Sequence, residues 1–524
     1  MAAIPTQDID AVFADWDRDD SPGCALAVVR EGEIAYARGY GMSNLEHGVP
    51  ITPGSIFHVA SISKQFTDMC IALLASEGAL SLDDDIRQYV PEIPDYGETI
   101  TIRHLIHHTS GLRDMWSLLR MAGWRADDLI NETDMLWVAS RQAAPNFRPG
   151  DEYLYSNTGY ALLALIIHRV SGKTLRQFAH ERIFEPLGMT STHVHDDHTE
   201  IVKGRTQAYE PRKGGGLRIS IPVFDVAGTT SLFTTVEDMA RWDDNFHQHT
   251  VGGAAILEQM QTPGRLNDGG PMTYGFGLNI HSYRGLPLVE HSGADAGYRA
   301  QYLHFPEERL AVVCLCNLST MTPRTLALAV ADIMLGDQFP EPVYDETLEP
   351  GRSDASLAGV YRNEDTGDLL RITSDDEGLA IGFGHLQRLE RLRGGTFRIE
   401  GQRLTRLRFE ELDGRRALVF GALYSPQPDP VFMRVAEPEL TEPRPFDGGE
   451  FHSDEVDATY RLQPDGDALR MTHYRLDEKT LQHAYDDVYA SDDLRLELER
   501  DVHGSVAGFR ASTGRVRGVW FARR

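Results

Sequence analysis

Lysine is nearly missing from this chain: Lys64, Lys173, Lys203, Lys213 and Lys479 are the full complement in 524 residues. Positive charge as a whole is in deficit, with Lys plus Arg at 51 against 79 Asp plus Glu, a formal net charge of −28. A surplus of that sign repels phosphate backbones and anionic lipid, which argues against nucleic acid and membrane surfaces as partners. Cysteine is scarce too. Four residues, Cys24, Cys70, Cys314 and Cys316, do not make a disulfide framework, and all sit among aliphatic side chains. They read as small buried hydrophobes. Cys314 and Cys316 fall on one face of a predicted strand, but two thiols alone do not close a zinc site. Long apolar runs are lacking: the longest on a helical pattern, residues 160–167, is far short of the ~20 residues that span a bilayer. The N-terminus carries acids, with no basic region and no apolar stretch after it, so no signal peptide is read and a cytoplasmic location is expected.

What is present is ordinary globular composition, 41% hydrophobic and 25% charged. At roughly 100–200 residues per domain the length predicts about three domains. Residues 1–337 read as mixed α and β. Short strands are expected at Cys24–Val29 and Glu33–Gly39, and a helix from Ser61 to Glu77 that stops at Gly78. A second helix runs from Asn157 to Val170. Thr235-Val-Glu-Asp238 reads as a capping box for a third. Strands follow at Leu286–Glu290, Ala300–Phe305 and Leu310–Cys316, then a closing helix at Pro323–Leu335. Gln338–Gly351, with Pro340, Pro342 and Pro350, reads as a linker.

Beyond it the period becomes that of strands, and the chain repeats itself at an offset of 90. Ala358-Gly-Val-Tyr361 answers Gly448-Gly-Glu-Phe451, Leu369–Ile372 answers Thr459–Leu462, and Leu404–Gly414 answers Leu494–Gly504. Two copies are too few for a solenoid, so two small antiparallel β-barrels are expected, at 345–437 and 445–524. The fold class is α+β: an antiparallel sheet with a helical cluster, followed by two barrels.

Three short motifs carry chemistry. In Ser61-Ile-Ser-Lys64, positions i and i+3 of a helix share a face, so the Lys64 amine reaches the Ser61 hydroxyl. A serine needs such a base to become a good nucleophile, and a buried lysine can lose its proton near neutral pH. Tyr155-Ser-Asn157 precedes the second helix. Its phenol can relay protons to a leaving group, and the Asn157 amide can orient Lys64 or a substrate. His291-Ser-Gly293 follows the strand Leu286–Glu290, where a cationic or hydrogen-bonding residue would face the site. Gly293 would let a substrate backbone come close. The N–H groups of Ser61 and Ala294 form a candidate oxyanion hole.

The order and spacing of these motifs resemble the β-lactamase and penicillin-recognising serine hydrolases, in which S-x-x-K, Y-x-N and a K-T-G or H-x-G strand meet in one cleft. His108-Thr-Ser-Gly-Leu112, Arg148-Pro-Gly150, Pro186-Leu-Gly-Met189 and Tyr274-Gly-Phe-Gly277 are similar to that family too. His291 stands where many β-lactamases have lysine, which is similar to the esterases and D-aminopeptidases of the group. A catalytic domain followed by two barrels resembles the D-stereospecific aminopeptidases. The resemblance implies an acyl-enzyme on Ser61, with Lys64, Tyr155 and His291 as the other catalytic residues and no metal or cofactor. The implied substrate is a short peptide or amide with a free N-terminal amine. A loop of the last barrel would enter the cleft. In that loop Asp477 or Glu478 is the candidate partner of the substrate ammonium. Asn279 and Arg299 are further candidate substrate contacts, and a homodimer is possible.

Alternatives stay open: an esterase or β-lactam hydrolase of the same fold, a non-catalytic penicillin-binding sensor, or a zinc hydrolase. The last would use His193-Val-His-Asp-Asp-His198, whose H-x-H spacing can ligate zinc. No glycine pair or downstream ligand set follows it, so a solvated loop is expected there instead. His104, His107 and His108 read as structural hydrogen-bonding residues, and Gly214, Gly215 and Gly216 as a flexible loop.

Overall fold

The computed structural model describes residues 4–341, 347–349, 354–423, 425, 427–436 and 442–524. The expected domain boundaries at 345 and 437, and part of the expected linker, lie outside these residues. The chain divides into two compact units. One comprises Met1–Leu112, Ala126–Ser140 and Phe147–Pro342, and the other Arg113–Arg125, Arg141–Asn146 and Val343–Arg524.

The first unit is built on a six-stranded antiparallel sheet. Its strands are β1 (Cys24–Arg30), β2 (Glu33–Tyr40), β3 (Asn279–Tyr283), β4 (Leu286–Asp295), β5 (Tyr298–Phe305) and β6 (Leu310–Cys316). They lie in the order β3-β4-β5-β6-β1-β2, so both ends of the unit's sequence meet at its centre. There Cys24 pairs with Cys316 and Arg30 with Leu310. Every residue of β6 is buried, as a central strand covered on both faces requires. Pro323–Leu335 packs on β5 and β6, and Val236–Gln248 on β1, β2 and β6. Thr235 accepts from the Asp238 N–H at 3.1 Å. Asp238 turns to the Ser191 N–H and the Thr192 hydroxyl, so only half of the expected capping box forms.

The helical cluster centres on Lys64–Ser76 and Asn157–Ser171, each with an unbroken run of eleven buried residues, Lys64–Leu74 and Asn157–Ile167. Asn157–Ser171 ends on Gly172 in the left-handed region (φ 71°), the stop its sequence announces. Phe57–His58, immediately before Ser61 in sequence, forms a three-stranded sheet with Leu232–Thr234 and His193–Val194. Among the described residues no helix is long and apolar enough to cross a membrane.

The second unit holds two closed eight-stranded antiparallel barrels, with strands from Gly359 to Arg434 and from Gly449 to Arg523. The sequence repeat extends to side chains. In the first barrel Arg434 donates to the Ala358 carbonyl at 2.8 Å; in the second Arg523 donates to the Gly448 carbonyl at 2.9 Å. Each bond fastens a last strand to a first. An apolar cluster including Val360, Phe383, Val435, Ala484 and Val488 joins the barrels. Arg113 belongs to this unit. Its guanidinium, 6% exposed, donates to Glu455 at 2.6 Å, Gln142 at 3.0 Å and the Arg517 carbonyl at 2.7 Å. Tyr460 donates to the Met121 carbonyl at 3.0 Å.

Candidate active site

Ser61 lies in a 3-10 turn, Ala60–Ser63, and the α-helix begins only at Lys64. A 3-10 turn has three residues per turn, so residue i+3 lies directly over i. Lys64 Nζ donates to Ser61 Oγ at 3.3 Å. Ala60, just before the nucleophile candidate, has φ 48°, a left-handed conformation that an L-residue adopts only where its surroundings enforce it. Two glycines supply part of that enforcement. A Cβ at Gly293 would stand 2.1 Å from the Val59 carbonyl oxygen, and one at Gly277 2.5 Å from the Gln65 nitrogen. Gly293 is therefore required by the backbone of the turn itself.

Lys64 is completely buried. Its Nζ also donates to Asn157 Oδ1 at 3.0 Å and to the Thr229 carbonyl at 2.7 Å. Both of those oxygens can only accept, whereas a hydroxyl can accept or donate. As ammonium, Lys64 gives a proton to Ser61; as amine, it keeps its other two bonds and can take the Ser61 proton. The Lys64–Ser61 line is thus the one among these three along which a proton can move without breaking another bond.

Tyr155 brings its ring to 4.9 Å from Lys64 Nζ. It is held through His108, whose carbonyl accepts from the Leu154 N–H at 2.9 Å and whose Nδ1 accepts from the Ser156 N–H at 3.1 Å. The His108 ring lies 4.0 Å, centroid to centroid, from that of Tyr155. The expected structural role of His108 thus acts across the fold, on the backbone either side of Tyr155.

His291 falls within β4, which runs on to Asp295. The partner strand β3 pairs only as far as Glu290, so the stretch from His291 leaves that sheet edge open. His291 Nδ1 lies 2.7 Å from the Ser292 carbonyl and must carry the proton; Nε2 then accepts from the Tyr274 hydroxyl at 2.9 Å. Burial, with Lys64 nearby, lowers its pKa to about 4. His291 is therefore neutral at neutral pH, the hydrogen-bonding alternative of the two the sequence left open. Replacing Tyr274 by Phe should leave Nε2 buried without its donor. The expected result is an intact fold, by circular dichroism, with kcat/KM down about tenfold, the scale of one lost buried hydrogen bond.

A model of the Beta-lactamase family matches residues 9–335. The chain belongs to the Beta-lactamase family. A D-aminopeptidase of Cereibacter sphaeroides is 29% identical over 69% of this chain and 67% of its own length. Penicillin-binding protein 4* of Bacillus subtilis is 28% identical over 68% of this chain and 83% of its own. The octameric penicillin-binding protein homologue of Pyrococcus abyssi shares the fold, with a TM-score of 0.59 and 21% identity over 90% of this chain and 99% of that one.

Around this Beta-lactamase-family site the remaining candidates fall differently. Asn279 is the half-buried first residue of β3. Arg299 turns back onto the Ala296 and Tyr298 carbonyls at 2.9 and 2.6 Å. Asp477 and Glu478 belong to the second unit, on the strand Leu476–Tyr485, and Glu478 lies 3.5 Å from Arg470. Asp477 lines a cavity of about 630 Å³ within that unit, together with Asp114, Trp116 and Arg120. Two residues escaped the sequence reading, Thr229 and Asp295, and Tyr274 was read only as part of a family-like motif. Asp295 bonds to Thr230, next to the Lys64 acceptor Thr229, and burial pushes its carboxyl up to about 6. Its position four residues beyond His291 was the one signal for it. The expected solvated loop at 193–198 is also revised: His195 is buried and His193 half-buried.

Proposed function

We propose that this protein is a serine hydrolase that releases N-terminal D-residues from short peptides and amides through an acyl-enzyme on Ser61. The observation that carries this is Lys64 Nζ at 3.3 Å from Ser61 Oγ, in a chain whose relatives include D-aminopeptidases. Ser61 Oγ bonds to the substrate carbonyl carbon, and the carbonyl π electrons move to oxygen. The C–N bond then breaks, and the Ser61 proton reaches the leaving amine by way of Lys64 and Tyr155. Water repeats the sequence to free the acid. Neutral His291 acts through its bond to Tyr274. Asp477 or Glu478 receives the substrate ammonium. Assembly as a homodimer, in the cytoplasm, belongs to the same proposal.

The test compares D-alanine p-nitroanilide, its L-enantiomer and a short-chain p-nitrophenyl ester. Cleavage of the D-amide with little of the L-form is expected. Ester cleavage without D-amide cleavage would overturn the aminopeptidase reading and leave an esterase. A second-order loss in D-amide kcat/KM for Asp477→Asn, with ester hydrolysis unchanged, would assign the ammonium to Asp477.

A further inference from the structure

The histidine-rich segment that the hydrolase reading leaves unused folds into a cluster. His193 and His195 project from the same side of a short strand, being two residues apart. That strand pairs with Leu232–Thr234, with His193 opposite Phe233, and His58 lies opposite Phe233 on the other side. Both His193 and His195 pack against the Phe233 ring, at centroid distances of 5.7 and 4.7 Å. Glu200 closes the group: one nitrogen of each imidazole and one Glu200 oxygen lie within 4.8 Å of one another. His195 Nδ1 is 3.5 Å from Glu200 Oε2.

One further observation marks this group as a receptor. Among the described residues His193 Nε2 is buried with no hydrogen-bond partner, and His195 Nδ1, also without a hydrogen bond, has Glu200 Oε2 at 3.5 Å. Buried polar atoms of that kind are rare, because each forfeits its hydration. Arg176 holds Glu200 by two bonds of 2.7 Å and Asp196 by one of 3.1 Å. Arg176 fixes the Glu200 carboxylate in the manner of outer-shell partners of metal ligands.

We propose that His193, His195 and Glu200 form a binding site for one divalent transition-metal ion of the zinc type. Two imidazoles and a carboxylate make a three-ligand set with a fourth, open position for water. Ligand atoms around tetrahedral zinc stand about 3.3 Å apart, given Zn–N of ~2.0–2.1 Å, so small side-chain rotations suffice. The ion braces the sheet before the nucleophile turn. Leu232, from the middle strand, donates to Ser63 Oγ at 2.9 Å, and Ser63 donates to the Ala60 carbonyl at 2.6 Å. Binding of the ion stands or falls without reference to substrate.

The full-length protein, dialysed against a chelator, is titrated with ZnCl2 by calorimetry and with CoCl2 by visible absorption. One equivalent of zinc, a tetrahedral cobalt spectrum and a rise in Tm of several degrees are expected. His193→Gln and His195→Gln should each weaken binding at least tenfold, and His503→Ala, an exposed histidine, should not. If either histidine variant fails to fold, Glu200→Gln takes its place, since it keeps both imidazoles. Binding that is weak and non-stoichiometric, or unchanged in these variants, would overturn the proposal.

Discussion

Ser61→Ala is expected to lower kcat on any cleaved amide or ester by at least about a thousandfold, the scale seen when a nucleophile is removed from a hydrolase. Lys64→Met should be as severe. Lys64 Nζ is tied to two oxygens that only accept, and its third contact is the Ser61 hydroxyl. Without the amine, the serine loses the base bonded to it at 3.3 Å. Lys64→Arg should fail as well, because a guanidinium keeps its proton and is planar, whereas these acceptors surround a tetrahedral nitrogen. The double variant Ser61→Ala/Lys64→Met should be little worse than either single one, since the two act as a unit. Intact-mass spectrometry provides a second readout. The wild type should gain the mass of an acyl group from a slow substrate, and the Ser61→Ala protein should not. An alanine variant retaining a tenth of wild-type activity would sink the mechanism.

Thermal stability should fall as pH drops from 6.5 towards 4. His58, His107 and His291 are each less than a tenth exposed, and burial lowers their pKa values to about 3, 4 and 4 from an ordinary 6.5. Above pH 6.5 these rings are neutral in both states, and they contribute no pH dependence. Below it, the unfolded chain takes up protons that the folded one rejects, so the folded state loses ground. Each ring contributes about 1.4 kcal/mol per pH unit across its window. Two carboxyls work in the opposite sense. Asp68 and Asp295 are raised by burial, hold a proton in the folded state that the unfolded chain releases, and so favour folding as pH falls. The lowered histidines outnumber these two carboxyls, so the balance is a net loss of stability as pH falls. His58 offers the cleanest check. Both its ring nitrogens are unpartnered among the described residues, and it packs on Phe224, Phe233 and Tyr298. His58→Phe should raise Tm more at pH 5 than at pH 8. An equal shift at both pH values would refute the account.

The legibility of this chain follows the range of its interactions. Ser61 and Lys64 are three residues apart, and a single turn joins them. The barrels announced themselves because a repeat at 90 residues is a property of sequence alone, and Arg434 and Arg523 do the same work in both copies. The central sheet was readable only as strands from both ends; nothing local pairs Cys24 with Cys316. That pairing also brings a third thiol to Cys314 and Cys316, where the sequence offered two. Tyr274 and His291 meet through neighbouring segments of the fold, so their bond left no spacing signal. Glu200 lies only five residues beyond His195, but its place beside the imidazoles depends on Arg176 and on a strand pairing with residues 232–234.

The Arg113 network sets a timetable for synthesis. Arg113 and its partner Glu455 are 342 residues apart. At about 5–20 residues per second a ribosome needs roughly 17–70 s to travel that distance. Until Glu455 is made, residues 113–125 and 141–146 lack their partners on the second barrel. Arg113 waits as a solvated cation and can be buried only once Glu455 arrives. The nascent protein therefore cannot complete its units in the order they are written, and an early stop, or a pause ahead of the last barrel, leaves these two segments as the exposed stretches that chaperones and proteases meet first.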